Sequence, residues 1–151
     1  MKHFRILLVI FAFMYAGSNL VAQDYKADDV LGVWLNEDKD GHVEIYKENG
    51  KYFGKLIWLK NPIDEETGKP KLDKHNPDDE LKKRPTKGII LMNDFEYDGD
   101  GEWDEGEIYD PKSGKTYSCY MELQSMDKLK VRGYIGISLI GRTTYWTRVN
   151  E

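Results

Sequence analysis

Between Gly106 and Val149 the chain alternates apolar and polar residues in short runs broken by turn residues. In Thr116–Leu123, one side of an extended chain carries Tyr117, Cys119, Met121 and Leu123. The other carries Thr116, Ser118, Tyr120 and Glu122. A period of two separates these sets, whereas a helix at about 3.6 residues per turn scatters both. Lys128–Tyr134 repeats the pattern, with Leu129 and Val131 set against Lys128, Lys130 and Arg132. Arg142–Val149 is rich in Thr, Tyr and Trp, which suit a pleated surface. Each run therefore reads as a strand with one buried face.

The same reading extends upstream. Asp24–Leu31 suits a helical turn that Gly32 ends. Strands are expected over 32–35, 42–47, 51–59, 88–95, 106–110, 115–124, 128–134 and 142–149. Asn49-Gly50 joins the second and third, because both central residues of a type I′ turn need positive φ. In the third, Gly54, Leu56 and Trp58 share a face. Gly99 and Gly101 turn the chain between two strands, and Pro111–Gly114 makes a tight turn. Eight antiparallel strands in sequence most economically close into an all-β up-and-down barrel, since closure removes exposed edges. A two-sheet sandwich is the alternative. A barrel of this size is either filled by side chains or holds one small ligand.

One connection is long. Lys60–Lys87 is polar and holds Pro62, Pro70, Pro77 and Pro85, four of the five prolines. A short helix is expected inside it, capped by Asn76, opened by Pro77, anchored by Leu81 and stopped at Arg84-Pro85. Loops of this length in small domains are commonly functional. Its eight basic and seven acidic residues nearly cancel, so it is not a simple electrostatic patch.

Residues 1–22 read as a secretory signal, with Lys2 and Arg5 ahead of the apolar core Ile6–Ala16. Those 11 apolar residues are too few to span a bilayer, which argues against an uncleaved anchor. Cleavage after Ala22 is preferred, and after Ser18 is the alternative. The first leaves a domain of 23–151, without a membrane span, in the periplasm or outside the cell. Loss of Lys2 and Arg5 takes the net charge from −5 to −7, a sign that argues against nucleic acid or anionic lipid as a general partner. Cys119 is the only cysteine, so no intrachain disulfide staples the fold. It falls on an apolar face and reads as a buried, inert thiol.

Candidate chemistry is sparse. Asp94–Asp110 carries nine acids and no base. Asp94, Glu96, Asp98, Gly99, Asp100, Glu102 and Glu105 nearly match a calcium loop. The flanks read as strands rather than helices, so a solvated acidic hairpin is the preferred reading and no metal or other cofactor is expected. Beyond the signal segment the histidines are His42 and His75. Gly136–Gly141 resembles a nucleophile elbow, but its second glycine comes one residue late. No catalytic set is assigned, and a hydrolase or isomerase is the least favoured reading. Ligand binding is better supported. Trp58, Tyr109, Tyr117, Tyr134 and Trp146 lie on or beside strands and suit a pocket for a small apolar or amphipathic ligand. The alternative is that they fill the barrel, leaving an interaction module for an envelope protein.

Several motifs together carry a family resemblance. The first half has Gly32-x-Trp34, Gly54-x-x-x-Trp58, Asn61-Pro62, Asp73-x-x-Asn76-Pro77, Arg84-Pro85 and Gly88. The second half has Gly106-x-Ile108-Tyr109-Asp110-Pro111, Ser113-Gly114-Lys115-Thr116-Tyr117, Val131–Gly136, Gly141-Arg142 and Trp146-Thr147-Arg148. In these the chain resembles the domain of unknown function 2147 family, small exported bacterial proteins with a lipocalin-like barrel. The resemblance implies the fold and an exported setting, and supplies no catalytic residues. The pairing of Trp34 with Arg148 is similar to that of lipocalin-type barrels, where an Arg covers a Trp at the closed end. Such a cation–π contact is worth roughly 0.5–2 kcal/mol.

Overall fold

The computed structural model describes residues 24–150, and the signal-like segment 1–22 lies outside them. Eight antiparallel strands follow in chain order. They are β1 (Gly32–Leu35), β2 (Gly41–Glu48), β3 (Lys51–Leu59), β4 (Ile90–Gly99), β5 (Glu102–Asp110), β6 (Lys115–Ser125), β7 (Lys128–Tyr134) and β8 (Gly141–Arg148). Each pairs with the next, and β1 pairs with β8 through Trp34 opposite Arg148 and Leu35 opposite Thr147. The sheet is a closed barrel, which excludes the sandwich.

Two hairpins turn on the same chemistry. Asn49-Gly50 has φ of 50° and 81°, and Asp100-Gly101 has 51° and 77°. Both residues of each pair sit in the left-handed region that Asn, Asp and Gly tolerate. The acidic stretch is thus a hairpin of long strands, β4 and β5, longer than the runs of alternation indicated. Its hidden member is Trp103, fully buried among the acids.

Alternation breaks at bulges. Val43 pairs with Leu56 but His42 with Trp58, so one extra residue lies in β3. The extra residue flips Trp58 outward, against the expectation that it shares the face of Gly54 and Leu56. Asp94 and Glu105 adopt φ of 62° and 55° at matching bulges in β4 and β5. There the phenyl ring of Phe95 lies over Gly106, where a Cβ would come within 2.4 Å of the ring.

The lower half of the barrel is packed solid. Trp34, Trp103, Tyr52, Phe95, Ile45, Met92, Met121 and Leu129 are almost wholly buried there. Residues 24–31 cross this end, with an i→i+3 turn in which the N–H of Asp29 bonds Lys26 and that of Leu31 bonds Asp28. Its carbonyls are held from inside the barrel. Trp34 Nε1 donates to Val30 (2.9 Å), Trp103 Nε1 to Ala27 (3.2 Å) and the Tyr97 hydroxyl to Tyr25. Arg148 donates to Leu31 (2.7 Å) and Asp29 (2.6 Å), with its guanidinium 4.2 Å from the centre of the Trp34 ring. Burial at this seal lowers the Arg148 pKa from its usual range.

Residues 60–89 strap the outer wall, with Thr86 reaching the rim of the lumen. Bridges Ile63–Pro70 and Leu72–Pro85 fold the strap on itself. The expected helix is a single 3₁₀ turn, Leu81–Lys83, and Leu81 is exposed rather than an inward anchor. Asn76 accepts from the N–H of Asp78 (2.9 Å) but is itself buried. What fixes the strap is Asp73, a carboxylate with no exposure at all. It accepts from the Tyr109 hydroxyl (2.6 Å), the Asn76 amide (2.8 Å) and Arg84 Nε and Nη2 (3.0 and 2.9 Å). Every oxygen of the buried charge is satisfied, as a charge removed from water requires.

Candidate lumen site

The upper half of the barrel is hollow. A cavity of about 550 Å³ opens at the end opposite the Trp34–Arg148 seal. Its wall is mostly apolar: Leu56, Leu59, Leu91, Ile108, Val131 and Trp146. These come from strand positions of alternate parity, brought to one face by the β3 and β5 bulges. Gly133 and Thr144 widen the lumen on the β7–β8 side. Such a volume suits one small molecule, because ligand pockets commonly run to about 300–1,000 Å³.

The mouth is polar and tied. Asn36 builds the β1–β2 turn by accepting from the N–H groups of Asp40 (3.0 Å) and Gly41 (3.1 Å). From the β5–β6 turn, Lys112 bridges to Asp40 (2.9 Å) and Asp38 (3.2 Å). The strand order sets those two turns on opposite sides of the barrel, so this ion pair is a strut across the opening. Burial works against ionisation of Asp40, but hydrogen bonds from Asn36 and Lys112 prevail and hold its carboxyl below the usual range. An exposed pair is worth only about 0–1 kcal/mol, so the strut gives way to an entering molecule at small cost. Arg142 stands at the β7–β8 edge, 3.9 Å from Glu37.

The five aromatics expected at a ligand site divide. Tyr117, Tyr134 and Trp146 line the cavity. Trp146 is buried and its Nε1 donates to Thr144 (3.2 Å). Trp58 does not line it: the ring lies on the outer surface against His42, with centroids 4.4 Å apart. Tyr109 borders the cavity, yet its hydroxyl is bonded to Asp73 in the strap. Burial, then the hydrogen bond to Asp73, pushes the Tyr109 pKa up to about 12, so it stays a donor. Aromatic content was the signal followed in the sequence. The aliphatic wall, the strut and Arg142 carried no such signal, and the bulges in β3 and β5 hid part of the wall from alternation.

The remaining titratable candidates stand apart from the lumen chemistry. Cys119 faces the core and burial pushes its thiol pKa up, so it is no nucleophile. His42 packs on Trp58 and His75 is exposed on the strap. A second, shallower cleft of about 790 Å³ lies outside the barrel between the strap and β4–β6, beside Pro77, Leu81, Arg84, Pro85 and Ile90.

Comparison with known proteins adds the following. Residues 32–148 match the model of a family described as an uncharacterized protein conserved in bacteria, DUF2147. Among solved structures the chain is similar to HP1028 of Helicobacter pylori, described as belonging to the lipocalin family. The two are 25% identical with a TM-score of 0.71, over 80% of this chain and 83% of that one. No curated protein matches.

Proposed function

Since the chain belongs to the DUF2147 family and folds as a lipocalin-like barrel, we propose that it binds a small apolar or amphipathic ligand through the open end of the barrel. The observation that carries this reading is the half-filled lumen. Packing to crystal-like density is the default for protein interiors. Here the sealed half obeys it, while the open half keeps about 550 Å³ behind an apolar wall. The charged rim matches an amphipathic molecule, with an apolar body inside and a polar head level with Arg142 and Lys112. The signal-like segment 1–22 supports action in the periplasm or outside the cell.

The test is to fill the lumen. A Cβ at Gly133 would stand 3.4 Å from Ile108 and 3.5 Å from Tyr117, ordinary contacts, so a larger side chain there projects into open space. Gly133→Leu combined with Thr144→Leu is expected to weaken binding of N-phenyl-1-naphthylamine at least tenfold without lowering Tm. Trp58→Ala, on the outer wall, is expected to leave dye binding unchanged. Equal dye affinity in the filled variant refutes the reading. Native mass spectrometry of protein purified from its source then identifies what the lumen carries.

A second reading, an interaction module for an envelope partner, draws on the cleft between strap and wall. Crosslinking in intact cells through a photoreactive residue in place of Leu81 tests it. Absence of any specific adduct counts against it.

A further inference from the structure

The β7–β8 connection is the most apolar exposed feature of the described molecule. Its sequence, Ile135-Gly136-Ile137-Ser138-Leu139-Ile140, holds no charge. Ile135, Ile137, Leu139 and Ile140 are 63%, 57%, 85% and 65% exposed. Single exposed apolar residues are ordinary, but four on one six-residue tip are not.

The backbone of this tip is turned in on itself. Ile135 N–H bonds the Ile140 carbonyl (3.0 Å), Ile137 N–H bonds Ile135 (2.9 Å) and Ile140 N–H bonds Ile137 (3.0 Å). The Ser138 carbonyl accepts from Arg132 Nε (2.8 Å). Three of the six N–H groups and four of the six carbonyls are thus paired without water, which lowers the cost of bringing this backbone toward an apolar medium. At the base of the tip stand Tyr134, Arg132 and Arg142, the last exposed. Aromatic and cationic side chains at that level suit the headgroup region of a bilayer.

The tip is convex and small. A stable protein–protein interface needs about 800 Å² from each partner, more than six residues present. Apolar side chains entering acyl chains need no matching surface. We propose that Ile135–Ile140 is a bilayer-docking tip, which seats the mouth of the barrel on a phospholipid membrane with the four apolar side chains in the acyl boundary. The rim around it carries both signs of charge, with Glu37, Asp38 and Asp40 against Lys112 and Arg142. Docking is therefore driven by apolar insertion, and salt weakens it little. The proposal goes beyond ligand binding: Ile135 and Ile140 also border the cavity mouth, but Ile137 and Leu139, the two residues substituted below, stand clear of it.

Flotation with vesicles of equal parts phosphatidylethanolamine and phosphatidylglycerol tests it. The wild-type chain from residue 23 onward is expected to float, at low salt and at high salt alike. Ile137→Asp with Leu139→Asp is expected to lower the partition coefficient at least tenfold with Tm unchanged, because both side chains are exposed. A nitrobenzoxadiazole label at Leu139→Cys is expected to shift to the blue on vesicles, with Cys119 silent because it is buried. Failure of the wild type to float, equal flotation of the double variant, or loss of binding in salt overturns the proposal. So does a lipid-free dimer that the double variant abolishes, which assigns the tip to a second copy. Dye binding in the lumen is measured in parallel, and its outcome leaves the docking result standing.

Discussion

Asp73→Ala is expected to be the most damaging single truncation outside the barrel core. The carboxylate is fully buried and receives four hydrogen bonds, two from Arg84 and one each from Tyr109 and Asn76. Arg84 is about one-third exposed and rehydrates in part. Tyr109 and Asn76 are 9% and 5% exposed and do not. Each buried donor left alone costs about 1–3 kcal/mol, and breaking a buried ion pair costs about 3–5 kcal/mol in all. We expect a loss of about 3–5 kcal/mol, and a fall in Tm of roughly 10–15 °C for a domain of this size. Urea denaturation followed by circular dichroism measures the loss. Tyr109→Phe completes a double-mutant cycle, with a coupling of about 1–2 kcal/mol expected for a hydrogen bond to a charged group. Hydrogen exchange is expected to rise first in residues 60–89, because the strap opens before the barrel. A cost below about 1 kcal/mol for Asp73→Ala, or a cycle with no coupling, refutes the account of how the strap is held.

Other consequences follow from the same contacts. Arg148→Met removes donors from the carbonyls of Asp29 and Leu31 along with the ring contact, and is expected to cost about 2–4 kcal/mol in urea melts. Arg148→Lys is not expected to rescue it, since a single ammonium cannot reach both carbonyls while covering the indole. Gly106→Ala sets a methyl against the Phe95 ring and is expected to cost about 1–3 kcal/mol, with Phe95→Leu relieving part of the loss. Glu102 has its pKa raised from 4.5 by burial and by Glu122 across the strand pair. A raised carboxyl pKa means the charged form costs stability above that pKa and none below the unfolded value. Glu102→Gln is therefore expected to stabilise by about 0.5–1 kcal/mol near neutral pH, a gain that vanishes as pH falls below 4.5. Melts at both pH values check the sign.

Strand number, order and closure were legible in the chain because a two-residue period survives any tertiary context that keeps one face buried. The Asn49-Gly50 turn added register, since few other pairs accept positive φ twice. Trp34 and Arg148 occupy the first and last strands, so closure alone makes them neighbours. What alternation could not carry was any site where the period slips. One extra residue in β3 sent Trp58 to the outer wall, and a bulge is invisible in a list of residue types. Trp103 lay concealed among acids, and counted from Gly106 and Ile108 its parity points outward; only the bulge in β5 turns it inward. Tyr109 borders the cavity as expected, but its hydroxyl is held by Asp73, thirty-six residues away. That separation is the physical reason: contacts within a strand or a turn are written in adjacent residues, while the strap, the strut and the hollow depend on how distant segments share one volume. Whether side chains fill a barrel is decided by the sum of volumes against the space enclosed, and only the folded chain performs that sum.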